Sequence, residues 1–121
     1  MKTCLVVDDC KVVRMVARKI LEELGFSVVE AEDDQVAIDK SMESMPDVVL
    51  LDWNMPVMSG IEYLRSLRVT EEGKRPVVVF YTTENAIAHI QEGIAAGANE
   101  YIMKPLDSDI IQSKFAQTGV L

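Results

Sequence analysis

Asp8-Asp9, Asp52, Thr82-Thr83 and Lys104 each follow directly on a short apolar run, the pattern by which a chain gathers distant polar groups at one end of a sheet. The runs are Cys4-Leu5-Val6-Val7, Val48-Val49-Leu50-Leu51, Val77-Val78-Val79-Phe80-Tyr81 and Tyr101-Ile102-Met103, the last leading into Lys104-Pro105. These residue types suit phosphoryl transfer. Crowded carboxylates raise each other's pKa values unless a cation sits among them. A hard divalent ion with oxygen ligands, Mg²⁺ above all, relieves the repulsion and leaves positions for phosphate oxygens. A carboxylate is also a competent nucleophile toward phosphorus, giving an aspartyl phosphate. Such a transfer needs positioning and charge neutralisation, which a metal, a Lys ammonium and a hydroxyl donor provide. The bland reading of one acidic pair is a solvated loop or a helix cap, with Asp8 or Asp9 starting a helix at Lys11. Three carboxylates at the ends of two neighbouring strands are harder to explain that way.

The spacing of the runs predicts an alternating α/β chain, a doubly wound (βα)5 fold with helices on both faces of a parallel sheet. Strand 1 covers Thr3 to Val7, and a helix from Lys11 to Leu24 carries Val13, Val16, Ala17, Ile20 and Leu24 on one face until Gly25 ends it. Ser27 to Ala31 reads as a second strand, mixed in polarity and so at an edge. A helix from Asp33 to Met45 follows, and Pro46 precedes the third strand. After Asp52 come a loop from Trp53 to Gly60 and a helix carrying Ile61, Leu64 and Leu67. Thr70 to Arg75 reads as a surface loop, and Ala86, Ile87, Ile90, Ile94 and Ala95 give a fourth helix its core stripe, closed by Gly97. A short fifth strand and a helix from about Asp107 to Gln117 complete the chain. In parallel sheets of this kind ligands bind outside the carboxyl ends of the strands, so the polar residues should share one pocket.

Composition sets the bounds. The 121 residues suit one domain, residues 1–121, large enough to bury about two thirds of its unfolded surface. A formal charge of -8 argues against nucleic acid as a partner, because phosphate backbones reward Lys and Arg. Beyond Arg75 only Lys104 and Lys114 are basic. No apolar stretch approaches a membrane span and Met1 to Val7 is too short for a signal-peptide core, so the expected location is cytoplasmic with no membrane partner. Cys4 and Cys10 give no disulfide framework. Cys4 reads as a small core residue, and the acids beside Cys10 disfavour its thiolate. His89, the single histidine, reads as a surface residue, and the seven scattered methionines as gap-fillers in the core.

Taken in order, the Asp8-Asp9 pair, the run Asp52-Trp53-Asn54-Met55-Pro56 with Met58 and Gly60, then Thr82, and then Tyr101 ahead of Lys104-Pro105 resemble the response-regulator receiver domains of two-component signalling, the small chemotaxis-type regulators in particular. The resemblance covers the whole chain. It implies a flavodoxin-like fold whose five-stranded parallel sheet has the order 2-1-3-4-5. It implies that Asp52 accepts a phosphoryl group from a sensor histidine kinase or a histidine phosphotransfer protein. Asp9, Asp52 and the backbone carbonyl of Asn54 would hold Mg²⁺, with Asp8 acting mainly through the ion's waters. Lys104 would pair with one phosphoryl oxygen and the Thr82 hydroxyl with another. Tyr101 would swing inward as Thr82 moves, coupling the site to the surface of the fourth helix, fifth strand and fifth helix, where a downstream protein docks. That face offers Glu84, His89, Glu92 and Glu100, which suits an apolar or basic partner segment. Asn54 and Glu84 occupy the positions that modulate attack by water and so the lifetime of the phosphorylated state. Lys11, Arg14, Arg18 and Lys19 give the first helix a basic face, either simply solvated or the place where family members dock the kinase or phosphotransfer partner.

Some positions depart from the commoner family pattern. Thr83 stands where a small residue follows the switch Thr and narrows access to Asp52, Leu106 replaces a frequent Phe, and Tyr81 reads as a strand side chain with one polar tip. A receiver of this type catalyses only its own phosphorylation and dephosphorylation and is not a turnover enzyme. The competing reading is a Mg²⁺-dependent phosphohydrolase that uses the same aspartyl-phosphate chemistry on small substrates. Against it, Asn54 stands where a second acid would be needed after Asp52, and the chain has no spare length for a substrate-covering cap.

Overall fold

The computed structural model describes residues 2–53, 60–82, 87–103 and 106–121, with the backbone alone for 87–89. In chain order the elements are β1 (Thr3–Val7), α1 (Lys11–Glu23), β2 (Ser27–Ala31), α2 (Asp34–Glu43), β3 (Val48–Asp52), α3 (Gly60–Arg68), a single 3₁₀ turn (Glu72–Lys74), β4 (Val77–Thr82), α4 (Ile87–Ala95), β5 (Glu100–Met103) and α5 (Ser108–Gln117). The strands pair in parallel as one five-stranded sheet of order β2-β1-β3-β4-β5, so the expected flavodoxin-like α/β fold is the observed one. The mixed strand, β2, is at an edge.

Alternation along the strands divides the core in two. On one face Cys4, Val6, Leu50, Val79, Tyr81 and Ile102 pack with Ala17 and Leu21 of α1 and Ile111 and Phe115 of α5. On the other, Leu5, Val7, Val49, Leu51 and Phe80 pack with Ala37 of α2 and Ile61, Tyr63, Leu64 and Leu67 of α3. All five residues of β3, Asp52 included, are buried. A continuous apolar strand is what two covered faces require.

The helices begin and end for local reasons. Asp33 caps α2 by accepting from the Val36 N–H, and Asp107 caps α5 by accepting from the N–H groups of Asp109 and Ile110. Gly25, at φ 96°, turns the chain out of α1. Two expectations for helix faces fail. Val16 is 47 % exposed and Leu21 takes the core position instead, because the buried stripe of α1 runs through Ala17 and Leu21 and leaves Val16 on the outer side. Ile94 is 44 % exposed and Ala95 is exposed as well, and α4 instead turns Gly93 to the sheet. A Cβ on Gly93 would stand 2.6 Å from the Phe80 ring, so the missing side chain sets how closely α4 approaches. The segment from Thr70 to Arg75 is also not a plain loop. Its 3₁₀ turn is gripped by Arg68, whose guanidinium donates to the carbonyls of Gly73 (2.8 Å) and Gly97 (3.0 Å), tying the end of α3 to the end of α4.

Candidate functional site

The register of the three central strands builds the site. Val7, Leu51 and Phe80 form one row across β1, β3 and β4. The next row toward the carboxyl ends is Asp8, Asp52 and Tyr81, where Asp52 and Tyr81 are direct register partners. Because side chains alternate, this row shares the face of Val6, Leu50 and Val79. Asp8 and Asp52 are each only 1 % exposed, and Asp9 is exposed. Carboxylate oxygens of Asp8, Asp9 and Asp52 all lie within 4.8 Å of one another.

Two unit charges at that separation repel by roughly 3–4 kcal/mol at an effective dielectric of about 20, so the pocket must hold its anions in place. Donors do this for Asp8. Its Oδ1 accepts from the Cys10 N–H at 2.7 Å, and its Oδ2 accepts from the Tyr81 hydroxyl, which arrives from β4. A hydrogen bond to a charged group contributes about 1.5–3 kcal/mol, comparable to the repulsion it offsets. Burial first, and then the bond to Asp8, push the Tyr81 pKa far up, so the phenol is a donor at every physiological pH. The Asp8 backbone is pinned as well. Its N–H donates to Ala31 at 3.1 Å, and its carbonyl accepts from Arg14.

The donor set fits the expected ion. Three carboxylates within reach of one point offer hard oxygen ligands, and Mg²⁺ takes a few such ligands while keeping waters and phosphate oxygens in its remaining positions. The α3 helix closes the neighbourhood from the far side. A Cβ at Gly60 would fall 2.5 Å from the Asp52 carbonyl oxygen and 3.3 Å from the Trp53 Cα, so α3 begins hard against the end of β3.

Thr82 ends β4 and is fully buried. It is the register partner of Met103, while Tyr101 is the partner of Phe80, so alternation places Thr82 and Tyr101 on one face of adjacent strands. The Tyr101 ring is partly buried, with its centroid 6.0 Å from that of Phe80. Phe80 in turn lies 4.9 Å from Trp53, next to Asp52. Lys114 of α5 sits 5.4 Å above the Tyr101 ring and 3.4 Å from the Glu100 carboxylate. Of the other residues singled out in the sequence, Lys104, Asn54, Glu84 and Thr83 and the side chain of His89 lie outside the described residues.

The basic face expected on α1 is not a free one. Arg14 and Arg18 turn back onto Glu30 of β2, at 3.1 and 2.7 Å, leaving Lys11 and Lys19 exposed. Desolvation opposes ionisation of Glu30, and the two arginines more than offset it, holding its pKa below the usual range. Beside these charges α1 also presents three apolar side chains outward: Val12 is 66 % exposed, Met15 57 % and Val16 47 %. The i, i+3, i+4 spacing of these three is visible in the sequence, but only the packing reveals which stripe of the helix stays uncovered.

Comparisons with known proteins agree with this geometry. The family model described as response regulator receiver domain matches residues 4–116. The chemotaxis protein CheY of Pseudomonas aeruginosa is 35 % identical over 111 residues, 91 % of this chain and 90 % of that protein. CheY-3 of Vibrio cholerae is 37 % identical over 111 residues, 91 % of this chain and 85 % of that protein. The solved structure of chemotaxis protein CheY4 from Vibrio cholerae superposes with a TM-score of 0.92 at 31 % identity, covering 97 % of this chain and 98 % of that one.

Proposed function

This chain belongs to the response regulator receiver domain family, and we propose that it works as a phosphoacceptor switch in which Asp52 takes a phosphoryl group from a histidine kinase or histidine phosphotransfer protein. The observation that carries the proposal is the buried Asp52 carboxylate inside a three-acid cluster at the carboxyl end of a parallel sheet. Asp52 is the nucleophile. Asp9, Asp52 and the carbonyl of Asn54 would hold Mg²⁺, and Asp8 would act through the ion's waters. When bound, the ion neutralises charge on the phosphoryl oxygens as they approach the carboxylates. Lys104 and the Thr82 hydroxyl receive the transferred group's oxygens, while Asn54 and Glu84 govern the access of water and so the lifetime of the signal. The whole of residues 1–121 acts as one receiver domain, a signalling protein and not an enzyme of small-molecule turnover.

Partner surfaces follow from the same arrangement. The exposed Val12, Met15 and Val16 on α1 lie one helical turn and more beyond Asp8-Asp9, where an incoming kinase or phosphotransfer helix would present its histidine to Asp52. Output leaves from α4, β5 and α5 through the Thr82–Tyr101 pair, toward a partner segment that is apolar or basic. Among the described residues no helix is long and apolar enough to cross a membrane; the cytoplasmic location is proposed from the family. The names of the relatives, chemotaxis proteins, make motility control the first pathway to examine. Acetyl phosphate with Mg²⁺ tests the assignment: the wild type should shift on a phosphate-affinity gel and Asp52→Asn should not. Full labelling of the variant would overturn it.

A further inference from the structure

Tyr81 belongs to a strand that contributes no metal ligand, yet its side chain ends inside the acidic cluster. β4 and β1 are separated by β3, so their backbones stand roughly 9–10 Å apart, twice the spacing of neighbouring strands. A phenol is long enough to cross β3 above its register partner Asp52 and reach Asp8; a Ser or Thr hydroxyl is not. The ring is fully buried, and its position in the core could be filled by Phe, which has the same body without the hydroxyl. What the oxygen adds is the bond to Asp8. Asp8 is itself too buried to be steadied by solvent, and one of its two oxygens is already committed to the Cys10 N–H.

We propose that Tyr81 is a positioning residue of the metal site, its hydroxyl fixing the Asp8 carboxylate so that the three acids keep the arrangement an ion requires. The proposal rests on the Mg²⁺ site argued above. Groups that orient a metal-site carboxylate by hydrogen bonding, without touching the ion, typically change affinity by about 10–100-fold when removed. A hydroxyl that only stabilised the fold would leave affinity alone.

The test is a Mg²⁺ titration followed by the fluorescence of Trp53, the single tryptophan, in the wild type, Tyr81→Phe and Tyr63→Phe. Tyr63 is the control, because its hydroxyl makes an equally buried bond, 3.0 Å to Ser41 Oγ, between α2 and α3. The expected result is about tenfold weaker Mg²⁺ binding in Tyr81→Phe and no change in Tyr63→Phe. In an Asp8→Ala background, which leaves the Tyr81 hydroxyl no side-chain acceptor at this position, the Tyr81→Phe change should cost nothing further, since the residue acts through Asp8. Affinity within about twofold of wild type in Tyr81→Phe, an equal loss in Tyr63→Phe, or a full further loss in the Asp8→Ala background would each overturn the proposal. Absence of any Mg²⁺ response in the wild type would instead remove the metal site on which it rests. Should Tyr81→Phe not fold, the wild-type protein still decides: proton NMR should show a slowly exchanging Tyr81 hydroxyl resonance that disappears in Asp8→Ala. A rapidly exchanging hydroxyl would end the proposal.

Discussion

At the scale of single residues the site is a problem in electrostatics. Three carboxylates meet within 4.8 Å, two of them nearly inaccessible to solvent, and Cys10 and Tyr81 supply donors to Asp8. Asp9 is the exposed member and the one free to approach an ion from the solvent side. Asp9→Ala should therefore weaken Mg²⁺ binding by more than about tenfold while leaving stability near that of the wild type, because surface substitutions usually cost within about 0.5 kcal/mol. Titration followed by Trp53 fluorescence, alongside urea unfolding, separates the two effects. An unchanged magnesium titration would show that Asp9 is no ligand. The acids themselves are legible in the sequence, because each follows an apolar run. The reach of Tyr81 to Asp8 is not. It depends on the register between β1, β3 and β4, and the strand Val77-Val78-Val79-Phe80-Tyr81 alone says only that a polar tip ends an apolar run.

At the scale of elements, the strands and their edge are legible because β-branched and aliphatic runs bounded by polar residues have few alternatives in a chain of this length. Helix faces are less so. Val13, Ala17, Ile20 and Leu24 point to the correct side of α1, but the wide apolar surface of that helix also includes Val12, Met15 and Val16, and periodicity does not say which apolar residues remain outside. Glycines carry information that hydrophobic patterns miss. At Gly93 and Gly60, α4 and α3 stand too close to Phe80 and to the Asp52 carbonyl to admit a side chain without a shift. A methyl group at Gly60 meets backbone rather than a movable side chain, so Gly60→Ala should destabilise the protein by about 1–3 kcal/mol despite the better helix propensity of Ala. A fall in the urea midpoint checks this. A midpoint equal to or above that of the wild type would mean that α3 has room to move away from Asp52.

At the scale of the whole molecule, the proposed function uses one sheet to link an input and an output. The acids stand at the ends of β1 and β3, Thr82 at the end of β4, and Tyr101 on β5 is packed between Phe80 and Lys114. The exposed apolar residues of α1 flank the strand that leads to Asp8 and Asp9, while β5 stands at the opposite edge of the sheet from β2, so in the proposed switch donor and target address different parts of one small domain. In the switch proposed above, a phosphoryl group need only favour one arrangement of Thr82 and Tyr101 over another by a few kcal/mol to redistribute the molecules. The measurement that tests this account most directly is the amide chemical-shift map on adding beryllofluoride and Mg²⁺, a stand-in for the phosphoryl group on Asp52. Shifts should spread from the acidic cluster through residues 82 to 103 and into α5. Shifts confined to the first and second helices, with residues 82 to 103 unmoved, would contradict it.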